Sequence, residues 1–217
     1  VRDHDAEQHL RILGCLVDSL DLGPTVLVGQ DWGGAFAAGI GARAHTPVRG
    51  LVFSNTAVLR PDRPPRSKAF HRFAQMPVVS DLAFRVANFP IPWLNLVQAQ
   101  RQGLGPAEKR AYAWPFRHIW DRSGPLALAR MVPDAEMHPS MATLDEIGAW
   151  VEATNLPVEL VWGVLDPIFG RSLRRHRAAL PHARVTECQA GHFLPEEASD
   201  AIVNAVVRLV HNGPGSD

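Results

Sequence analysis

Ten residues, Thr25-Val-Leu-Val-Gly-Gln-Asp-Trp-Gly-Gly34, constrain what this chain can fold into more than any other stretch. The run from 25 to 28 is apolar and β-branched without alternation, which suits a strand buried on both faces of a parallel sheet. The next six residues turn the chain into a helix of small residues, expected over 35–43. Such a turn needs glycines, because the backbone is strained and strand and helix pass close to one another. Asp31 stands at its apex. One reading makes Asp31 a helix cap, with glycines simply closing a tight turn. The other makes it a nucleophile: a carboxylate can attack carbon and form an ester, and a helix N-terminus keeps it ionised.

The surrounding pattern repeats this grammar. Apolar residues at 10, 13, 16, 17 and 20 mark an amphipathic helix over 6–20, with Asp3 or Asp5 as its cap and Gly23-Pro24 as its stop. A second buried strand over 50–53 ends at Ser54-Asn55-Thr56. Strands over 157–162 and 183–187 and helices over 170–180 and 198–211 complete a doubly wound α/β order. Between about 60 and 140 prolines cluster, aromatic residues recur and no strand pattern appears, so this stretch reads as a helical insertion, too apolar for disorder. The expected organisation is a core of residues 1–59 and 141–217 with a helical cap of residues 60–140.

Composition excludes several classes. At 217 residues the chain can bury about 70% of its unfolded surface and needs no disulfide or metal staple. Hydrophobic residues at 46% and charged residues at 20% are ordinary globular usage. Twenty-two basic residues balance 22 acidic ones, which argues against a nucleic-acid partner and gives no reason to expect an anionic membrane surface. No apolar run approaches the ~18–20 residues of a membrane span. Cys15 and Cys188 have no CxxC partner, which argues against zinc and favours a reducing, cytoplasmic setting.

Two later residues join Asp31. Asp166, in Val161-Trp-Gly-Val-Leu-Asp-Pro-Ile168, falls at the C-terminal end of a parallel strand, the edge where open α/β sheets bind ligands. His192, in Ala190-Gly-His-Phe193, falls on the loop after the last strand. Alone, Asp166 reads as a turn-forming Asp-Pro and His192 as a surface histidine. Together, in the order Asp31, Asp166, His192, they form the nucleophile, acid and base series of the α/β-hydrolase fold. The other nine histidines have no such context and are expected at the surface.

The chain also resembles the haloalkane dehalogenases of the α/β-hydrolase superfamily. The resemblance rests on Gln30-Asp-Trp-Gly-Gly34, Asn55-Thr56, Tyr112-Ala-Trp-Pro-Phe116, Arg130-Met-Val-Pro133 and Gly191-His-Phe193. Epoxide hydrolases share Asp-Trp-Gly-Gly but usually place histidine before the Asp and use two cap tyrosines. Tyr112 is the single tyrosine here.

The resemblance implies that Asp31 displaces halide from carbon and that His192 activates water to hydrolyse the ester, with Asp166 orienting the imidazole. Trp32 matches a halide-holding tryptophan, and its backbone N–H an oxyanion donor. Asn55 occupies the position where an alternative subgroup carries its acid, a glutamate, which leaves Asp166 as the acid. In one subgroup the second halide donor is a cap tryptophan whose matching position here is Gln100, with Trp93, Trp114 and Trp120 nearby; the His-Gly-Asn-Pro loop used by the others is absent from the sequence, so the second donor is unassigned. Trp114, Phe116 and Trp120 are candidates for an apolar substrate pocket, with plain core filling as the other reading. The implied partners are a small apolar halogenated substrate, halide and water, with no cofactor or metal; a homo-oligomer is allowed. An epoxide hydrolase with the same three residues and an inactive binding module are the rival readings. Family members begin with further strands and a helix, about 60 residues at ordinary element lengths, ahead of the segment that opens here, so an N-terminally incomplete sheet is expected.

Overall fold

The computed structural model describes residues 4–60, 69–99 and 103–211. Four parallel strands, β1 (Thr25–Gln30), β2 (Val48–Ser54), β3 (Val158–Gly163) and β4 (Arg184–Cys188), pair in chain order into one sheet. The helices are α1 (Ala6–Ser19), α2 (Trp32–Arg43), α3 (Ala69–Gln75), α4 (Val79–Asp81), α5 (Pro106–Ala113), α6 (Ser123–Arg130), α7 (Met141–Ala153), α8 (Leu173–Ala179), α9 (Leu194–Glu197) and α10 (Ser199–His211). The described residues fall into two compact units: 7–60, 97–99 and 142–211 form one, and 4–6, 69–96 and 103–141 the other.

In the first unit the two-residue period of the strands divides the core between the faces of the sheet. Leu51, Phe53, Leu160 and Trp162 point to the face covered by α1, α2, α7 and α8, where Leu10, Ala38, Ile147 and Leu173 meet them. Val52 and Val161 point to the opposite face, where Leu194 of α9 and Ala205 and Leu209 of α10 close over them. Helices on both faces make the sheet doubly wound, as the sequence predicts. Burying a side chain such as Phe53 or Leu160 completely is worth about 1.5–3 kcal/mol. A charge enters this core: Glu159 of β3, 4% exposed, accepts both arms of the Arg208 guanidinium at 2.8 and 2.7 Å.

Three expectations need correction, and one helix lies where none was expected. β1 is not buried on both faces: it is the outer strand among the described residues, and Val28 is 47% exposed. The helix α7 carries apolar residues around much of its circumference, so it shows no clean stripe from which to predict it. His176 of α8 is fully buried, not at the surface. Its Nδ1 faces the Ser172 carbonyl at 2.8 Å and its ring lies 5.0 Å from Trp162. Burial, with Arg175 nearby, lowers its pKa to about 4 despite that backbone bond. Finally, residues 97–99 lie inside the helical stretch in sequence but belong to the sheet unit in space.

The second unit contains no strand among its described residues. Ala74, Phe84, Leu126 and Ala129 form its core, with Phe73 and Phe89 packed against them. Arginines tie its short helices together. Arg130 donates to the Ala74 carbonyl at 2.8 Å, to Ser80 Oγ at 2.9 Å and to Asp81 at 3.1 Å. Arg122 donates to the carbonyls of Phe116, Arg85 and Val86. The Arg130-Met131 pair of the sequence motif is therefore structural, with Met131 fully buried.

Candidate active site

Asp31 sits between β1 and α2 with φ 52° and ψ −127°, a left-handed conformation that costs a non-glycine residue of order 1–3 kcal/mol. The turn is held by three bonds. The Asp31 N–H donates to the Asn55 carbonyl at 3.1 Å, and the Asp31 carbonyl accepts from Gly34 N–H at 3.1 Å and Thr56 Oγ1 at 2.6 Å. Two glycines make room for it. A Cβ on Gly29 would lie 2.2 Å from the Gly33 carbonyl oxygen, and one on Gly34 would lie 2.2 Å from Thr56 Oγ1. The strain lifts the Asp31 side chain out of the turn, 43% exposed.

Asp166 lies three residues beyond the end of β3 and His192 four beyond the end of β4, so parallel strands deliver both to the same edge as Asp31. His192 Nδ1 is 3.0 Å from Asp166 Oδ2, and Nε2 is 3.2 Å from Asp31 Oδ2. The other oxygen of Asp166 accepts from the Ile168 N–H at 2.7 Å, which fixes the carboxylate while its side chain is fully buried. Asp166 is thus both the turn residue and the imidazole's partner. Phe169 and Phe193 flank the imidazole, with ring centroids at 5.9 and 5.1 Å. Burial alone would lower the His192 pKa, but hydrogen bonds to Asp166 and Asp31 and the charges of both carboxylates push it up to about 9.

The loop carrying His192 is anchored from several sides, by Gln30 and Asn55 of the quoted motifs and by Val97, Ala99 and Glu197, which sequence pattern does not single out. The His192 N–H donates to the Val97 carbonyl at 2.8 Å, and its own carbonyl accepts from Gln30 Nε2 and from Asn55 Nδ2. The Glu197 carboxylate accepts from Gly191 N–H at 2.6 Å and Ala99 N–H at 2.9 Å. Segment 97–99 passes so close that a Cβ on Gly191 would be 2.5 Å from the Val97 oxygen. A glycine before the histidine was the only trace of this contact in the sequence.

The remaining predicted residues fall in both units. Trp32 follows Asp31 in α2, and its ring stacks on Phe36 at 5.8 Å against the core. Trp114, Phe116 and Trp120 belong to the strandless unit. There Trp114 and Trp120 are 66% and 77% exposed, Phe116 is half-buried, and Arg117 stands over the Trp114 ring at 4.3 Å. Gln100 lies outside the described residues. Among the described residues no group of three His, Cys, Asp or Glu is placed to hold a metal ion, and no helix is long and apolar enough to cross a membrane.

A sequence model of the alpha/beta hydrolase family matches residues 1–205. The chain belongs to the α/β-hydrolase family. This hydrolase is 30% identical to a haloalkane dehalogenase 2 of Mycobacterium tuberculosis (strain ATCC 25618 / H37Rv), over 94% of its own length and 70% of that protein's. It is 25% identical to a cis-3-alkyl-4-alkyloxetan-2-one decarboxylase of Xanthomonas campestris pv. campestris, over 98% of its own length and 72% of the relative's. Among solved structures, a haloalkane dehalogenase of Bradyrhizobium elkani superposes with a TM-score of 0.81 at 24% identity, covering 96% of this hydrolase and 75% of that chain.

Proposed function

We propose that this hydrolase converts a haloalkane to an alcohol and halide through an alkyl ester on Asp31. The reading rests on one observation above others: His192 lies within hydrogen-bond reach of both carboxylates, one on a strained turn and one fully buried. In the first step an Asp31 oxygen attacks the carbon bearing halogen, the C–O bond forms, and halide leaves with the electron pair of the C–X bond. Trp32 supplies N–H donors, the indole for the halide and the backbone for the oxyanion that follows. In the second step His192 takes a proton from water, hydroxide attacks the ester carbonyl, and collapse returns the alcohol and the Asp31 carboxylate. One proton and one halide ion are released per turnover.

The electrostatics order these steps. With both carboxylates charged, His192 holds its proton to about pH 9 and cannot serve as a base at neutral pH. Ester formation makes Asp31 neutral and removes one of the two charges that retain that proton. The base therefore becomes available when the intermediate that needs it has formed.

The test offers three electrophiles: a primary bromoalkane, a terminal epoxide and a cis-3,4-dialkyl oxetan-2-one. Halide and alcohol from the first are expected. Diol from the epoxide without halide release would replace this reading by epoxide hydrolysis, and carbon dioxide from the lactone would place the chain with its Xanthomonas relative. His192→Phe should accumulate an alkyl adduct on Asp31, visible by intact mass after bromoalkane. If neither wild type nor variant gains an adduct or product from any substrate, the enzymatic reading fails.

A further inference from the structure

We propose that Asn55 is a positioning residue that holds the nucleophile turn, the acid turn and the histidine loop in register from a single buried point. The proposal rests on the reading of Asp31, Asp166 and His192 as the working groups. Asn55 follows directly on β2, is fully buried and adopts φ 36°, a left-handed conformation that asparagine tolerates better than most residues. Four bonds radiate from it. Its backbone carbonyl accepts the Asp31 N–H at 3.1 Å, and its Oδ1 accepts the Gly163 N–H at 2.8 Å. Its Nδ2 donates to the Gly191 carbonyl at 2.7 Å and the His192 carbonyl at 3.3 Å. The Gly163 carbonyl in turn accepts the Asp166 N–H at 3.2 Å, so the chain of bonds reaches the acid.

Three loops that are far apart in sequence thereby meet at one residue, the acid turn and the histidine loop at its carboxamide and the Asp31 turn at its backbone carbonyl. Only a group with an acceptor and two donors in one plane can make this set; a carboxylate lacks the donors and an alkyl side chain lacks both. These side-chain bonds go to backbone groups, so Asn55 acts through the placement of its neighbours. Thr56 and Gly34 hold the Asp31 turn independently, whereas in the histidine loop Asn55 holds the Gly191 carbonyl and shares the His192 carbonyl with Gln30 and the Leu194 N–H. Loss of the carboxamide should therefore disturb His192 more than Asp31.

The test is an NMR titration of the His192 ring nitrogens in substrate-free wild type, Asn55→Gly and Asn55→Ser. Glycine keeps the φ of position 55 while deleting the carboxamide, and serine leaves a smaller void. Asp31 and Asp166 are the charged groups that face the ring, and Phe169 and Phe193 flank it. If Asn55 sets their register, the His192 midpoint falls toward its ordinary value by about one pH unit or more in a variant that still melts cooperatively. With bromoalkane, the same variant should form adduct at nearly the wild-type rate and hydrolyse it at least about 10-fold more slowly, as a loss of 1.4 kcal/mol would give. An unchanged midpoint in a folded variant overturns the proposal. So does failure of both variants to fold, which would make Asn55 a scaffold residue. Absence of adduct in wild type would sink the dehalogenation reading alone, because the titration needs no substrate.

Discussion

Two buried histidines respond to pH in opposite directions. The folded-state pKa of His192, about 9, is above the ordinary 6.5, so its contribution to stability is complete below about pH 6.5 and is lost as pH rises through 9. That of His176, about 4, is below 6.5, so its contribution is present above pH 6.5 and is lost as pH falls toward 4. Thermal midpoints measured across this range should fall at both ends. His176→Phe should flatten the acid limb and His192→Phe the alkaline one; a variant that leaves its own limb unchanged would refute the assignment. At Trp32, phenylalanine keeps a ring against Phe36 but deletes the indole donor. A hydrogen bond to a charged group is worth about 1.5–3 kcal/mol, so kcat/KM for a bromoalkane should drop about 10- to 150-fold with little change in melting temperature. At this scale the sequence was informative where chemistry is rare, as with an aspartate between glycines or a histidine after the last strand. It misplaced His176 at the surface, because nothing in Arg175-His176-Arg177 signals a buried ring.

Among elements, the turn from β1 to α2 carries the sharpest contrast. Sequence pattern treats Gly29, Gly33 and Gly34 alike, yet a Cβ on Gly33 would meet nothing within 4 Å, whereas those on Gly29 and Gly34 would collide with backbone and with Thr56. Gly29→Ala should therefore cost about 3 kcal/mol or more by overpacking. Gly33→Ala, inside α2, should be neutral or stabilising by about 0.5–1 kcal/mol, because alanine restricts the unfolded chain and favours helix. Urea denaturation of the two variants decides it; equal losses would mean that both glycines are needed for the turn itself. β1 and β3 were legible because their apolar runs are short and bounded by Gly or Pro. The helix α7 was not, since covering a buried sheet leaves it apolar on too many sides to show a period.

For the whole molecule, the sheet unit holds a charge in its centre. Glu159 is fixed by Arg208 from α10, whose side chain is 25% exposed against 5% for Glu159. Arg208→Met strands the carboxylate and should cost about 3–5 kcal/mol, whereas Glu159→Gln leaves an arginine that can turn to water and should cost less. Chemical denaturation measures the asymmetry, and equal losses would show that burial does not govern the pair. The order of strands and helices was readable because each element buries its own pattern. The division of the chain in space was not, because residues 97–99 are assigned to the sheet by backbone bonds that any sequence could make.

That short segment has a consequence for engineering by recombination. A protein chemist exchanging residues 60–140 for the corresponding block of another hydrolase would import a foreign carbonyl opposite the His192 amide and a foreign amide opposite Glu197. The unit of exchange is therefore two pieces, one on each side of 97–99, with the three residues between them retained as part of the recipient.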